Sequence, residues 1–410
     1  MNLIADLHIH GKYSRACSTS LTIPNLEKWA RVKGINLLGT GDFTHPKWIE
    51  HIKENLAEED GLFKTKTGFN FVLQTEISLI YTQDGKGRSV HVLILAPSLE
   101  VVKQITAYLL SKGRVDYDGR PIFKIPCYEL VASLRSISED IEVIPAHAWT
   151  PHFGLFGANG GFDSVEAAFK DQAKHIHALE SGLSADPEMV LRISGLDKYL
   201  TVSFSDAHSY WPWRLGREVT IFDIEPTYQN LLKAIRTREG FVETIEVNPA
   251  YGKYHVNGHR NCNISLEPKE SERLNNLCPA CKKPLTIGVL HRVEKLADRE
   301  EGYAPSNAQK YKTLIPLSDL ISALRKKGIA TKGVWAEYNK LIESFGNEFN
   351  VLLNASEEEL KKINPELAPL IMLNREGKIE VKPGYDGVYG EPVITKATIT
   401  TRSQKGLNEF

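Results

Sequence analysis

The sequence predicts an α/β protein: a β/α barrel, then a small cysteine-rich module, then a mainly helical C-terminal region. Three observations carry that reading. Short apolar runs alternate with amphipathic stretches up to about residue 248, the pattern of strands joined by helical crossovers in a parallel sheet. Ten of the 13 histidines lie before residue 210, several beside carboxylates at the ends of apolar runs. Three of the five cysteines fall between Tyr251 and Glu300. Lys and Arg number 50 against 51 Asp and Glu, so the net charge of −1 selects no partner. No window approaches the ~20 apolar residues that cross a bilayer. The start MNLIADLHIH lacks the basic flank and apolar core of a signal peptide. A cytoplasmic protein with no membrane partner is the expectation, and five cysteines are too few for a disulfide scaffold.

The barrel is expected over residues 1–248. Its strands are Asn2 to Leu7, Ile35 to Gly39, Phe69 to Gln74, Val90 to Leu95, Ile141 to Pro145, Ile176 to Leu179, Thr201 to Phe204 and Val219 to Phe222. Helices fall at Ile23 to Lys33, Lys47 to Leu56, Glu100 to Ser111, Glu129 to Ile137 and Tyr228 to Thr237. The exception to parallel order is Phe71 to Pro97, where Asp84-Gly85-Lys86-Gly87 joins two apolar runs as a β-hairpin. Residues 249–300 form the cysteine-rich module, and 301–410 the helical region with a polar tail after Glu391. There Val334, Tyr338, Leu341, Ile342 and Phe345 share one helical face, and Ser356 with Glu359 opens another helix as a capping box.

Candidate ligands sit where strands end. His8-Ile9-His10 follows the first strand, Asp42 and His45 the second, and Glu76 the third. His91 opens the return strand of the hairpin. His147, Glu180 and Asp206-Ala207-His208 follow the later strands. In a barrel these C-terminal strand ends converge on one mouth. Imidazole mixed with carboxylate suits zinc, manganese or iron rather than calcium. Seven or more such groups exceed the needs of one zinc, so a cluster of metals is implied, with the chemistry of phosphoester hydrolysis. His51, His175 and His177 are read as ordinary surface or core histidines.

His8-Ile9-His10, Glu76, His91, His147 and Asp206-Ala207-His208 resemble the motifs of the polymerase and histidinol phosphatase (PHP) superfamily. The resemblance implies a distorted seven-stranded β/α barrel. It implies a first metal on His8, His10, Glu76 and Asp206, and a second on Glu76, His91 and His147. A third site, known in some members, would use His208 with Asp42 or His45. Two or three divalent metals (zinc, manganese or magnesium) follow, and Asp206, Glu76, His8, His10 and His147 become the catalytic set.

Cys262, Cys278, Cys281 and His291 give the spacing C-x15-C-x2-C-x9-H. Three thiolates and one imidazole fill a closed structural zinc site, and a module of ~50 residues needs the metal to fold. His291 is preferred as the fourth ligand, with His255 and His259 as competitors. The module carries nine Lys and Arg against six Asp and Glu, which suits contacts with a phosphate backbone.

The barrel, the stretch Tyr254 to Cys262, the Cys-Pro-Ala-Cys turn, Thr286 to Arg299 and Lys382 to Gly390 together resemble the endonuclease Q family. That resemblance implies a DNA repair endonuclease. It would cut the phosphodiester 5′ of hypoxanthine, uracil, xanthine or an abasic site, with metal-activated water as nucleophile. Damaged DNA, double- or single-stranded, is the implied partner, with a repair or replication clamp left open. No GxxxxGK[ST] loop occurs, which excludes ATP-driven unwinding. Residues expected to meet DNA are Lys12, Tyr13 and Arg15 after the first motif, and Trp149, His152, Trp211, Trp213 and Arg214 beside later ones. Arg260, Lys282, Lys283 and Arg292 would serve from the module. The alternative is a small-molecule phosphomonoesterase of the histidinol-phosphatase kind, which has no use for the module and the helical region.

Overall fold

The computed structural model describes residues 2–394. Seven strands build the barrel: β1 (Asn2–Asp6), β2 (Leu37–Gly39), β3 (Asn70–Gln83), β4 (Lys86–Ala96), β5 (Glu142–Pro145), β6 (Ala178–Glu180) and β7 (Leu200–Val202). β1, β2 and β3 run parallel, and β4 lies antiparallel to both β3 and β5. β6 and β7 are parallel. Past the strand ends, Ala148 N–H donates to Glu180 O (2.8 Å), joining β5 to β6. Ile9 bridges to Ala207, with His10 N–H on Ala207 O at 3.0 Å, which closes the ring. The barrel is therefore mixed rather than wholly parallel, because the hairpin reverses one strand.

That hairpin turns at Asp84 and Gly85, both at positive φ (53° and 72°). Such a two-residue turn matches the right-handed twist of its strands, and Asp-Gly is a favoured sequence for it. Inward side chains such as Leu7, Val72, Leu93, Ile144, Val202 and Phe204 fill the barrel. Helices α1 (Ile23–Lys33), α2 (Pro46–Asn55), α3 (Leu99–Lys112) and α4 (Cys127–Ile137) cover its outside. α1 buries Ile23, Leu26 and Ala30, an i, i+3, i+7 stripe, and ends at Gly34 with φ 101°.

β8 (Val219–Asp223) pairs antiparallel with β1, and β9 (Phe241–Glu246) extends the sheet from β8; α5 (Tyr228–Thr237) links them. The cysteine-rich segment folds as the hairpin β10 (Asn257–His259) and β11 (Ile264–Leu266), followed by α6 (Val289–Leu296). β12 (Tyr311–Thr313) then returns to pair with β9, so the C-terminal region is tied into the barrel's own sheet. Helices α7 (Leu317–Arg325), α8 (Lys332–Phe345), α9 (Glu357–Ile363) and α10 (Ala368–Arg375) complete it. The capping box at Ser356 and Glu359 forms. Of the polar tail expected after Glu391, Glu391–Pro392 forms a short strand, and the part from residue 395 lies outside the described residues. Among the described residues no helix is long and apolar enough to cross a membrane.

A buried ion pair fastens the helical region to the barrel. Lys33 Nζ, at the end of α1, meets Glu348 Oε1 at 2.7 Å and Pro212 O at 2.9 Å. Glu348 also accepts from Tyr338 OH (2.8 Å) and Leu317 N–H (2.9 Å). Removing one partner of such a pair leaves the other charge buried and uncompensated, a loss of ~3–5 kcal/mol. Glu348→Leu is therefore expected to lower the thermal midpoint markedly, and Lys33→Met combined with it to recover part of the loss. Calorimetry of the three proteins checks this.

Candidate metal centre at the barrel mouth

β1 runs straight into His8-Ile9-His10, and its pleat sends His8 and His10 to one face. Glu76 sits mid-way along β3, and His91 faces the same side from β4. His147 and Asp206 lie just past β5 and β7. His147, Asp206 and Asp42 all hold positive φ (30°, 48° and 42°), a conformation uncommon outside glycine that costs energy and collects at functional sites. The ligand atoms of His8, His10, Glu76 and Asp206 lie within 4.8 Å of one another, and so do those of Glu76, His91 and His147.

Glu76 belongs to both groups and divides its oxygens between them. Oε2 is 3.2 Å from His10 Nε2 and 3.6 Å from His8 Nε2; Oε1 is 2.7 Å from His91 Nδ1 and 3.2 Å from His147 Nε2. Asp206 Oδ1 approaches His8 Nε2 (3.4 Å) and His10 Nε2 (3.2 Å) from the other side. Outer contacts fix the rings. His8 Nδ1 donates to both oxygens of Glu180 at 2.9 Å, and His10 Nδ1 donates to Asp42 Oδ1 at 2.9 Å. Each contact holds a proton on Nδ1 and turns Nε2 inward toward Glu76 and Asp206, the second-shell arrangement typical of metal-binding histidine. Glu180 also accepts from His147 N–H (2.6 Å), so it steadies both groups at once.

Burial opposes charge on His8, but Glu180, Asp206 and Glu76 outweigh it and hold its pKa well above 6.5. His10 is raised in the same way by Asp42 and Asp206. Burial would raise Glu76, yet His91, Arg120 and His8 keep it well below the usual carboxylate range. His91, buried, falls to about 4. The donor set fits divalent metal. His8 Nε2 is fully buried and has no hydrogen-bond partner, although two carboxylates face it. A cation between them satisfies nitrogen and oxygens together.

Asp42, His45 and His208, expected at a third site, stand beside the first group. Asp42 orients its neighbours: beyond His10 it accepts from Gly11 N–H (2.6 Å) and Ser14 Oγ (2.8 Å). His45 stacks on Tyr13 with centroids 4.5 Å apart. His208 lies against the His10 ring at 4.3 Å, with Nδ1 on the Asp206 carbonyl at 3.0 Å. Among the described residues none of the three joins a ligand group.

In the module, His259 gathers with Cys262, Cys278 and Cys281, its Nδ1 3.4 Å from Cys281 Sγ. His291 does not. Its Nδ1 contacts Asn257 Nδ2 at 2.9 Å, and it is buried under the hairpin on α6. His259 closes the hairpin strand three residues before Cys262, on the side where the thiols meet. Against burial, the backbone N–H groups of Cys281 and Ala280 bring the Cys278 thiol down to about 6, the thiolate form that binds zinc.

A cavity of about 570 Å³ opens over the metal ligands. His152 and Arg214, named above as candidates for DNA contact, line it, and so do Arg120, Lys253 and Tyr389. Arg120 reaches Glu76 Oε2 at 3.0 Å. Tyr389 stands among cations: Arg214 lies 4.6 Å and Lys253 5.3 Å from its ring centroid, and Arg217 Nη1 donates to its hydroxyl at 3.3 Å. Burial would raise its phenol, but Arg217, Arg214 and Lys253 bring it down to about 8. Tyr389 arrives from the C-terminal segment, which is held on the module by Asp386, the acceptor for Arg260 N–H (2.7 Å) and Thr286 Oγ1 (2.6 Å).

Several residues expected at DNA are placed otherwise. Trp149 is buried against Phe156, and so cannot stack on a base. Arg292 is buried too, donating to Phe156 O and Asp163 (2.7 Å each) and locking α6 to the loop after β5. Trp211 and Trp213 stack on each other at 5.2 Å and pack against Trp335 of α8, half-buried between barrel and helical region. Arg15, Arg260, Lys282 and Lys283 are exposed, and Lys12 and Tyr13 half-buried.

Residues 316–378 match the family model for the MJ0043 C-terminal domain. MJ0043 of Methanocaldococcus jannaschii is 36% identical over 291 residues, 70% of this chain and 35% of that protein, so the match spans about a third of its length. YqxK of Bacillus subtilis is 30% identical over 410 residues, covering 95% of this chain and 98% of that one. Fold and site define a metal-dependent hydrolase. Two solved structures match nearly the whole chain at 31% identity. One is the lesion-specific endonuclease PfuEndoQ from Pyrococcus furiosus (TM-score 0.86, 97% of this chain and 96% of that one). The other is endonuclease Q in complex with a 27-mer duplex carrying an abasic lesion at the active site (TM-score 0.88, 97% and 98%). The chain belongs to the endonuclease Q family.

Proposed function

We propose that this protein is a DNA repair endonuclease that hydrolyses the phosphodiester on the 5′ side of deaminated bases (uracil, hypoxanthine, xanthine) and abasic sites. The observation that carries the reading is Glu76, whose two oxygens face two histidine groups beneath a cation-walled cavity that His91, His147 and Asp206 line. His8, His10, Glu76 and Asp206 would hold one divalent metal, and Glu76, His91 and His147 a second. When bound, these metals polarise the phosphate and make water nucleophilic at neutral pH.

The chain's own residues do the rest. Glu180 and Asp42 keep His8 and His10 in the donor tautomer. Arg120 holds positive charge beside Glu76, where charge builds on the scissile phosphate. Arg214 and Lys253 supply positive charge on the cavity wall for flanking phosphates. The aromatic faces of Tyr254 and Tyr389 line the same wall, suited to a base or sugar taken out of the stack. Water adds to phosphorus, the bond to the 3′ oxygen breaks, and the products are a 3′ hydroxyl upstream and a 5′ phosphate on the lesion-bearing fragment. Zinc held by His259, Cys262, Cys278 and Cys281 would be structural. The test is a substrate panel: duplexes with one deoxyuridine, one deoxyinosine or one abasic site, an undamaged duplex, and histidinol phosphate. Incision of the damaged duplexes alone is expected. Turnover of histidinol phosphate without incision would replace this reading with a phosphomonoesterase.

A further inference from the structure

The hairpin of β3 and β4 overshoots the barrel. β3 pairs with β2 only over Asn70 to Val72, whereas its ladder with β4 runs on to Gln83 opposite Lys86. Alternation sorts the side chains of the overshoot. Glu76 faces inward with Leu93 opposite it; the next row on that face is Ser78, opposite His91, and the next is Ile80, opposite Ser89. The short strand Ile122–Phe123 pairs along the free edge of β3 and sets Ile122 beside Ser78, in the same row as His91. Ile80 and Ile122 thus stand on the sheet face that carries two metal-group residues. They lie ~13 and ~7 Å beyond Glu76 along the strand, two to four rises of ~3.4 Å.

Both are exposed, Ile80 by 40% and Ile122 by 48%, and Tyr117 beside them by 49%. Their placement is rigid. Ile122 N–H donates to Tyr117 OH at 2.6 Å, and Ser78 N–H to Pro121 O at 3.0 Å. Between them Arg120 reaches Glu76 at 3.0 Å, and Gly119 packs on Ser14 and Asp42 so closely that any Cβ would collide with them. An apolar rim is thus pinned to the metal centre from both sides.

A phosphate backbone offers isoleucine nothing, and a rim that only tracked phosphates would be basic. The apolar surface of damaged duplex lies between base pairs, and it opens where a nucleotide leaves the stack. Apolar side chains inserted at a base step hold it open. We propose that Ile122, backed by Ile80 and Tyr117, enters the base step beside the lesion and fills the gap left by the extruded nucleotide. This rests on the endonuclease reading above and adds the element that opens the duplex.

The experiment compares wild type with the Ile80→Ser/Ile122→Ser double variant on two substrates. One is a duplex with a paired deoxyuridine; the other holds the same deoxyuridine in a three-nucleotide unpaired bubble. The double variant is expected to lose roughly tenfold or more in kcat/KM on the paired substrate, in line with the cost of unstacking one step, and less than about twofold on the bubble. A 2-aminopurine next to the lesion should brighten on binding wild type and stay dim with the variant. Equal cutting of the paired duplex by both proteins, or an equal loss on both substrates, overturns the wedge alone. Absence of incision by wild type on either substrate overturns the endonuclease reading, and the wedge with it.

Discussion

Glu76→Gln is expected to abolish incision, by at least about 10³-fold in kcat, while binding of a lesion duplex stays within a few fold. Removing one electrostatic donor from a preorganised site costs ~10²–10³ in rate, and here one carboxylate serves two metal groups. Glutamine keeps the shape but removes the negative charge that offsets two cations. It also points an amide N–H toward His91 Nδ1 or His10 Nε2, which Glu76 meets at 2.7 and 3.2 Å. The barrel survives the change, because Leu93 and the rest of the apolar interior are untouched. Single-turnover kinetics, a gel-shift titration and metal analysis of the same preparation separate the outcomes. Retained incision at a tenth of the wild-type rate would remove Glu76 from the centre of the mechanism.

Cys278→Ser is expected to release one zinc per chain and unfold the module. Structural zinc contributes on the order of 10 kcal/mol of apparent binding free energy to a small domain. The hairpin β10–β11 and the Cys278 to Cys281 turn have few apolar residues of their own. The effect should spread to the mouth, since Asp386 ties the segment carrying Tyr389 to Arg260 and Thr286 of the module. Duplex binding should weaken while metals on His8, His10 and His147 remain. His259→Ala should reproduce the loss of zinc, and His291→Ala should not. Zinc loss from the His291 variant alone would make His291 the fourth ligand.

Much of the barrel is legible in the sequence because its signals are local. Asp84-Gly85 between two alternating runs specifies the hairpin, and the stripe Ile23, Leu26, Ala30 specifies α1. The metal groups are legible too, since strand ends converge whatever the details of the barrel. Ligand and orienting residue are harder to separate. Asp42 and Asp206 follow strands in the same way, and only the fold shows that one faces a ring nitrogen from outside and the other from inside. Glu180 stands at a strand end like a ligand, yet acts through His8 and His147. His259 and His291 both have workable spacing from the cysteines, and the turn of the hairpin decides between them. Residue type makes Trp149 and Arg292 candidates for DNA contact, and burial assigns both to the interior. Arg120 carries no sequence signal: it comes from an irregular stretch between α3 and α4.

The residues at the barrel mouth would direct attack to the phosphorus on the 5′ side of a lesion. Duplex DNA with one deoxyinosine, labelled in turn at each end of the damaged strand, tests it in a single gel. One break immediately 5′ of the deoxyinosine is expected, with a 3′ hydroxyl upstream, a 5′ phosphate downstream and no free hypoxanthine. A break on the 3′ side, or released hypoxanthine, would contradict it.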